Sequence, residues 1–174
     1  PLAAVQLLWI NLITDCTPAI SLSMEPITSQ APLKQGKRKT HRLISKSFLI
    51  QIPVDIIFIT AMSLISYSIG IKSGTAVAAS MLFVTLSSIQ ILHSYNLRSS
   101  KSIFGISAVS NEFMLLSSLI ALFIVFFLVL SPAGAVFGLK ILEFKNFAYS
   151  VLLALSIIPY SEIFKYILRK NGKA

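Results

Sequence analysis

Five long apolar stretches alternate along the chain with short polar segments rich in lysine, arginine, serine and glycine. A helix rising 1.5 Å per residue needs about 20 apolar residues to cross a hydrocarbon layer about 30 Å thick. The stretches meet that length at approximately 1–24, 48–70, 75–95, 113–130 and 147–168. The pattern therefore predicts an all-α membrane protein, a bundle of about five transmembrane helices. Segment 71–74, with its glycine, reads as a tight connector, and segment 131–146, with Pro132, Gly134 and Gly138, as an ordered external turn. No internal repeat or low-complexity tract interrupts this plan.

Composition sharpens the assignment. With 55% hydrophobic and 12% charged residues and a mean hydropathy of +0.82, the 174-residue chain is too apolar for a soluble domain. A net charge of +9 would suit nucleic acid, but the basic residues sit between apolar runs without an interleaved aromatic pattern, so no nucleic-acid partner is expected. They work instead as topology signals, since lysine and arginine near span ends stay cytoplasmic. Twelve fall in the 25–47 loop, the 96–112 loop and the carboxy-terminal end, against three (Lys72, Lys140 and Lys145) on the opposite side. Both loops and the carboxy terminus are accordingly expected in the cytoplasm. The lone Cys16 excludes an internal disulfide and a cysteine-based metal site. Pro1 opens the chain inside an apolar run that lacks signal-peptide features, so a longer parent protein is expected, with any soluble catalytic domain upstream or on another chain.

The first stretch concentrates the candidate chemistry. Asn11, Thr14 and Asp15 stand at i, i+3 and i+4, on one helical face. Their amide, hydroxyl and carboxylate oxygens are the ligands hard cations take, about six to eight at a time, so one helix supplies part of a shell. Pro18 offers no N–H to the Thr14 carbonyl and bends Thr17 out of helical geometry, which predicts an unwound helix near Asp15–Pro18. Such breaks are tolerated in membranes where they line a protein-enclosed cavity. A mid-bilayer carboxylate also costs about 2.5–3.5 kcal/mol on insertion scales, which a bound cation would offset. The plainer alternative is that Asp15 hydrogen-bonds a neighbouring helix and fixes packing.

Other polar residues are weaker candidates. Gln90, amid Ser87, Ser88, His93, Ser94 and Asn96, can add a neutral oxygen to the same site or serve packing; the serines suit close helix contact. His93 and Asn96 fall near the cytoplasmic interface, where a solvated role is expected. Asp55, with Gln51 and Pro53 nearby, is a weak ligand candidate, better read as a structural pair or an interfacial carboxylate. Glu162 has Lys165 and Arg169 at helical spacing, which suggests a local ion pair. Trp9 and the tyrosines read as packing or interface anchors.

Gln6-Leu7-Leu8-Trp9-Ile10-Asn11-Leu12-Ile13-Thr14-Asp15, followed by Pro18-Ala19 and Met24-Glu25-Pro26, resembles the sixth transmembrane helix of P-type cation-transporting ATPases of the calcium-pump type. The run from Gln90 to Asn96 with Arg98-Ser99 looks like the eighth helix and its exit, Ser110-Asn111-Glu112 like the start of the ninth, and Glu162-Ile163-Phe164-Lys165 like the end of the tenth. The resemblance implies helices six to ten of a ten-helix pump, with Asn11, Thr14 and Asp15 as ligands of a transported cation, calcium favoured. It implies Mg-ATP only through domains outside this segment, and as partners the upstream helices and cytoplasmic domains of the same pump. Gln90 stands where animal reticulum-type calcium pumps carry glutamate, which implies one ion site rather than two. Cys16 and Thr17 replace the family's usual glycine and leucine-like residue, and the 27–44 loop lacks the usual acidic and proline-arginine character. The isolated segment is expected to be inactive in ATP hydrolysis. Two other classes fit the bare residues: a standalone channel or secondary cation/proton transporter, and a non-catalytic helix-assembly module.

Overall fold

The computed structural model describes residues 2–12, 46–97 and 112–170. Thr14, Asp15 and Pro18 lie outside them. Among the described residues, six α-helices follow in order: α1 Ala4–Ile10, α2 Lys46–Gly70, α3 Thr75–Leu97, α4 Glu112–Leu130, α5 Phe144–Leu155 and α6 Ile157–Lys170. Among the described residues, four helical stretches are long and apolar enough to cross a membrane: Leu49–Ser73, Thr75–Ser94, Glu112–Leu130 and Phe144–Ile167. The first apolar stretch is described only as far as Leu12, so the remainder of that expected crossing lies outside the described residues.

The helices form where the chain has unbroken apolar length, because hydrocarbon leaves backbone groups no partner except one another. Pro53 sits inside α2 without ending it, although it leaves the Leu49 carbonyl without its usual donor. The last crossing departs from the single helix expected over 147–168. It is two segments, α5 and α6, divided at Ser156. The cause is Pro159, whose ring displaces the Leu155 carbonyl four residues back. The Ser156 hydroxyl donates to the Leu153 carbonyl at 2.5 Å within the break.

One 3-10 turn, Ile71–Ser73, joins α2 to α3, so the two run antiparallel as neighbours. They come close at Gly70: a Cβ there would lie 2.6 Å from the Ala78 Cα and 2.9 Å from the Met81 sulfur. Small residues at such points let helices gain packing contacts that lipid cannot supply. Helix α3 is the centre of the bundle, packed by α2, α4, α5 and α6. The main core joins Val77, Met81 and Val84 of α3 to Ala121, Val125 and Val129 of α4, with Ile10 of α1 and Leu139 and Leu142 of the 131–143 loop. A second cluster unites Ile89 with Ala154 and Ile157, flanked by Phe58, Met62 and Leu92. On α4 the buried Met114, Ser118, Ala121 and Val125 alternate at helical spacing with exposed Leu116, Leu119, Ile120 and Phe123. The exposed stripe is the face expected to meet hydrocarbon.

Some polar side chains inside the bundle are paired across helices, whereas the hydroxyls of Ser63, Ser87, Ser88 and Ser118 are buried with no hydrogen-bond partner among the described residues. The Thr85 hydroxyl lies 2.7 Å from that of Ser66 and donates towards the Ser150 carbonyl at 3.4 Å, tying α3 to α2 and α5. The 131–143 loop is likewise folded back on the helices. Its 3-10 turn, Pro132–Phe137, is capped by Ser131, whose hydroxyl accepts from the Ala133 N–H. The Lys140 N–H donates to the Ser80 hydroxyl at 2.8 Å and the Leu142 N–H to the Val129 carbonyl at 3.0 Å. The ordered turn expected from Pro132, Gly134 and Gly138 is therefore present.

The Gly70 contact makes a direct test of the α2–α3 packing. Gly70→Ala is expected to push these helices apart and destabilise the bundle by about 1–3 kcal/mol, the usual cost of overpacking a tight core. Thermal unfolding of the detergent-solubilised protein checks this; an unchanged melting temperature contradicts the close approach.

Candidate ion site and its anchoring

Helix α1 carries the first of the candidate ligands. It begins after Ala3, whose extended backbone (φ −74°, ψ 155°) precedes the first turn. The Gln6 side chain folds back so that its Oε1 accepts from the Ala3 N–H at 2.9 Å. Its Nε2 donates to the Phe137 carbonyl, also at 2.9 Å. Trp9, one turn on, packs its ring against Phe137 with centroids 5.2 Å apart. Gln6 and Ile10 are each 2% exposed, so Gln6, Trp9 and Ile10 make the inward stripe of α1.

Asn11 follows immediately, exposed on the neighbouring side of the helix. Its N–H is shared between the carbonyls of Leu7 and Leu8. At Asn11 and Leu12 the winding passes from α to π. Wide π turns of this kind re-aim side chains and recur at functional sites. The face that Asn11 shares with Thr14 and Asp15, and the break expected at Pro18, fall beyond the described residues. Gln90 lies half-buried near the far end of α3. Ile10 and Ile91, the sequence neighbours of Asn11 and Gln90, belong to one core cluster, and α1 packs on α3.

Asp55 occupies a different place. Its Oδ1 accepts from the Tyr160 hydroxyl at 3.0 Å, and its Oδ2 lies 3.3 Å from Nε2 of His93. Tyr160 in turn stacks on Phe58, with ring centroids 3.9 Å apart. One residue from each of α2, α3 and α6 therefore meets at a buried point, with Asp55 only 6% exposed. Both carboxylate oxygens have partners. The solvated role expected for His93 is corrected here: its side chain is 13% exposed and turned towards Asp55, and its Nδ1 is buried with no hydrogen-bond partner among the described residues. Tyr160, read from sequence only as an anchor, was the unrecognised third member. No local pattern in the sequence signals it, since Asp55 and Tyr160 stand 105 residues apart. Further along α6, Lys165 is buried and Glu162 half-buried. Among the described residues, no three histidine, cysteine, aspartate or glutamate side chains converge on a common point.

Comparison with known proteins identifies the family. Residues 1–167 match the sequence model of the family described as "Cation transporting ATPase, C-terminus". Calcium-transporting ATPase 1 of Bacillus cereus is 31% identical over 98% of this chain and 21% of its own length. Calcium-transporting ATPase type 2C member 1 of Mus musculus is 27% identical over 99% of the chain and 19% of its own length. Calcium-transporting ATPase 1 of Schizosaccharomyces pombe is 25% identical over 99% of the chain and 20% of its own length. The chain thus spans about a fifth of each of these relatives. A family match over nearly the whole chain, joined to a bundle of long apolar helices, leads to one conclusion: the chain is a multi-pass membrane segment belonging to the carboxy-terminal family of the cation-transporting ATPases.

Proposed function

We propose that this segment is the ion-coordinating carboxy-terminal membrane part of an ATP-driven cation pump whose cargo is calcium. The observation that carries the reading is the change from α to π winding at Asn11, at the head of the Asn-x-x-Thr-Asp pattern, in a chain of this family. Asn11, Thr14 and Asp15 serve as ligands, with Gln90 contributing a neutral oxygen from α3. Asp15 brings the negative charge that offsets the ion's, and the ion in turn offsets the cost of holding a carboxylate within hydrocarbon. Four side chains fill about half of the six to eight positions calcium takes. The rest come from freed backbone carbonyls near Pro18 and from upstream helices of the same pump.

Asp55 is assigned to helix pairing rather than transport, because Tyr160 and His93 already engage both of its oxygens. Mg-ATP acts through cytoplasmic domains outside this segment, and the segment alone does not hydrolyse it. Phosphorylation there shifts the helices, and the Asp15 site changes its side and affinity in an alternating-access cycle. The 25–47 loop, the 96–112 loop and the carboxy terminus face the cytoplasm.

Two acidic residues separate these roles. In the full-length pump, Asp15→Asn is expected to abolish calcium-dependent phosphorylation by ATP, whereas Asp55→Asn keeps the wild-type half-saturating calcium concentration. The Asp55 variant should instead unfold more readily, by about 1–3 kcal/mol, since a buried network loses a charged acceptor. Calcium-dependent phosphorylation unaffected by Asp15→Asn would remove Asp15 from the site. Orientation is checked by single cysteines introduced in a Cys16→Ser background: a membrane-impermeant thiol reagent applied to sealed vesicles should label Lys37→Cys and Lys173→Cys from one side and Lys140→Cys from the other. Labelling of all three from one side contradicts the assigned topology.

A further inference from the structure

We infer that Gln6 and Trp9 are positioning residues for the ion site, holding the ligand-bearing helix to the 131–143 loop; the inference rests on the ion-site reading above. An amide side chain 2% exposed in the first turn of a membrane helix is costly unless both of its ends are bonded. Both are. Oε1 serves the helix's own start at Ala3, and Nε2 reaches a carbonyl 131 residues away at Phe137.

That carbonyl belongs to the last residue of the Pro132–Phe137 turn, and the turn ends at Gly138 with φ +69°. This left-handed conformation suits glycine. A Cβ at Gly138 would lie 3.7 Å from Gln6 Nε2, so the backbone of the loop comes right up to the amide. The Trp9 ring against Phe137 gives the same joint an apolar half. The loop is no free tether, since Lys140 is bonded to Ser80 of α3 and Leu142 to Val129 of α4. Gln6 therefore fixes α1 to the two helices that frame the main core.

Asn11 stands five residues beyond Gln6, about 7.5 Å along the helix axis. Anchorage at Gln6 and Trp9, on consecutive turns of one face, sets both the depth and the rotation of α1 before the winding changes at Asn11. Oxygen ligands must fall within a few tenths of an ångström of an ion to bind it well. A helix released from the loop spreads those ligands over more positions, and binding must then supply the ordering. The joint does not touch the ion, and acts by placing the groups that do.

The test uses the full-length pump and reads phosphorylation by ATP against free calcium. Gln6→Met keeps the side-chain shape and removes both bonds; Gln6→Glu keeps the bond from Ala3 and removes the donor to Phe137. Both are expected to raise the half-saturating calcium concentration about five- to tenfold, the effect of losing about one hydrogen bond's worth of placement. The maximal phosphoenzyme level per folded pump should stay unchanged. Gly138→Ala disturbs the joint from the loop side and should shift half-saturation in the same direction, which keeps the inference testable if a Gln6 variant fails to fold. Unchanged half-saturation in the folded variants overturns it. So does a shift confined to Gln6→Met, which would place the effect in the helix start alone, or a fall in phosphoenzyme level at constant half-saturation, which marks a purely structural contact. Failure of the underlying ion-site reading is distinguishable, because then Asp15→Asn also leaves calcium dependence unaltered.

Discussion

Hydrocarbon offers no hydrogen bonds, and this deficit governs almost every feature of the chain. Backbone groups have to close on themselves, so the apolar runs become helices, and several buried polar side chains find partners elsewhere in the bundle. Ser66 with Thr85, Asp55 with Tyr160 and His93, and Ser80 with the Lys140 amide are answers to the same requirement. The apolar clusters around Met81 and Val125 then fill the space that these contacts delimit. Where the ladder of backbone bonds is interrupted, at Ser156, Pro159 supplies the local cause.

The bundle is fastened differently at its two ends. At one, the 131–143 loop lies over α3 and α4 and grips α1 through Gln6 and Trp9. At the other, the Asp55 carboxylate draws α2, α3 and α6 together. Between them runs α3, whose serine-rich and alanine-rich surface lets neighbours approach closely, as Gly70 does against Ala78. That frame holds α1 up to the change of winding at Asn11 and Leu12.

Much of the fold was legible because length and hydropathy carry it. Helices α2, α3 and α4 begin and end within two residues of the apolar runs at 48–70, 75–95 and 113–130, since the cost of leaving a helix inside lipid is high and local. The division at Ser156 could have been read from Pro159, which follows the rule that also marks Pro18. Pairings between helices were not legible. The meeting of Asp55 with Tyr160 spans 105 residues and that of Gln6 with Phe137 spans 131, and no local pattern encodes which faces of separate helices will touch. His93 was misread for that reason, since its distance from the end of α3 suggested water while its rotation turns it inward to Asp55. At the candidate ion site the spacing of Asn11, Thr14 and Asp15 suggests the chemistry; Thr14 and Asp15 lie outside the described residues, and the structure adds the anchored face beside Asn11.

The central claim is that a carboxylate inside the bilayer is kept there to grip a passing cation with its neighbours on a loosened turn. The most direct measurement is a structure of the full-length pump with calcium bound. The account predicts an ion with oxygens of Asn11, Thr14 and Asp15 within about 2.3–2.6 Å, the usual calcium–oxygen distance. An Asp15 side chain facing lipid, or bonded to another helix with the calcium held elsewhere, would contradict it.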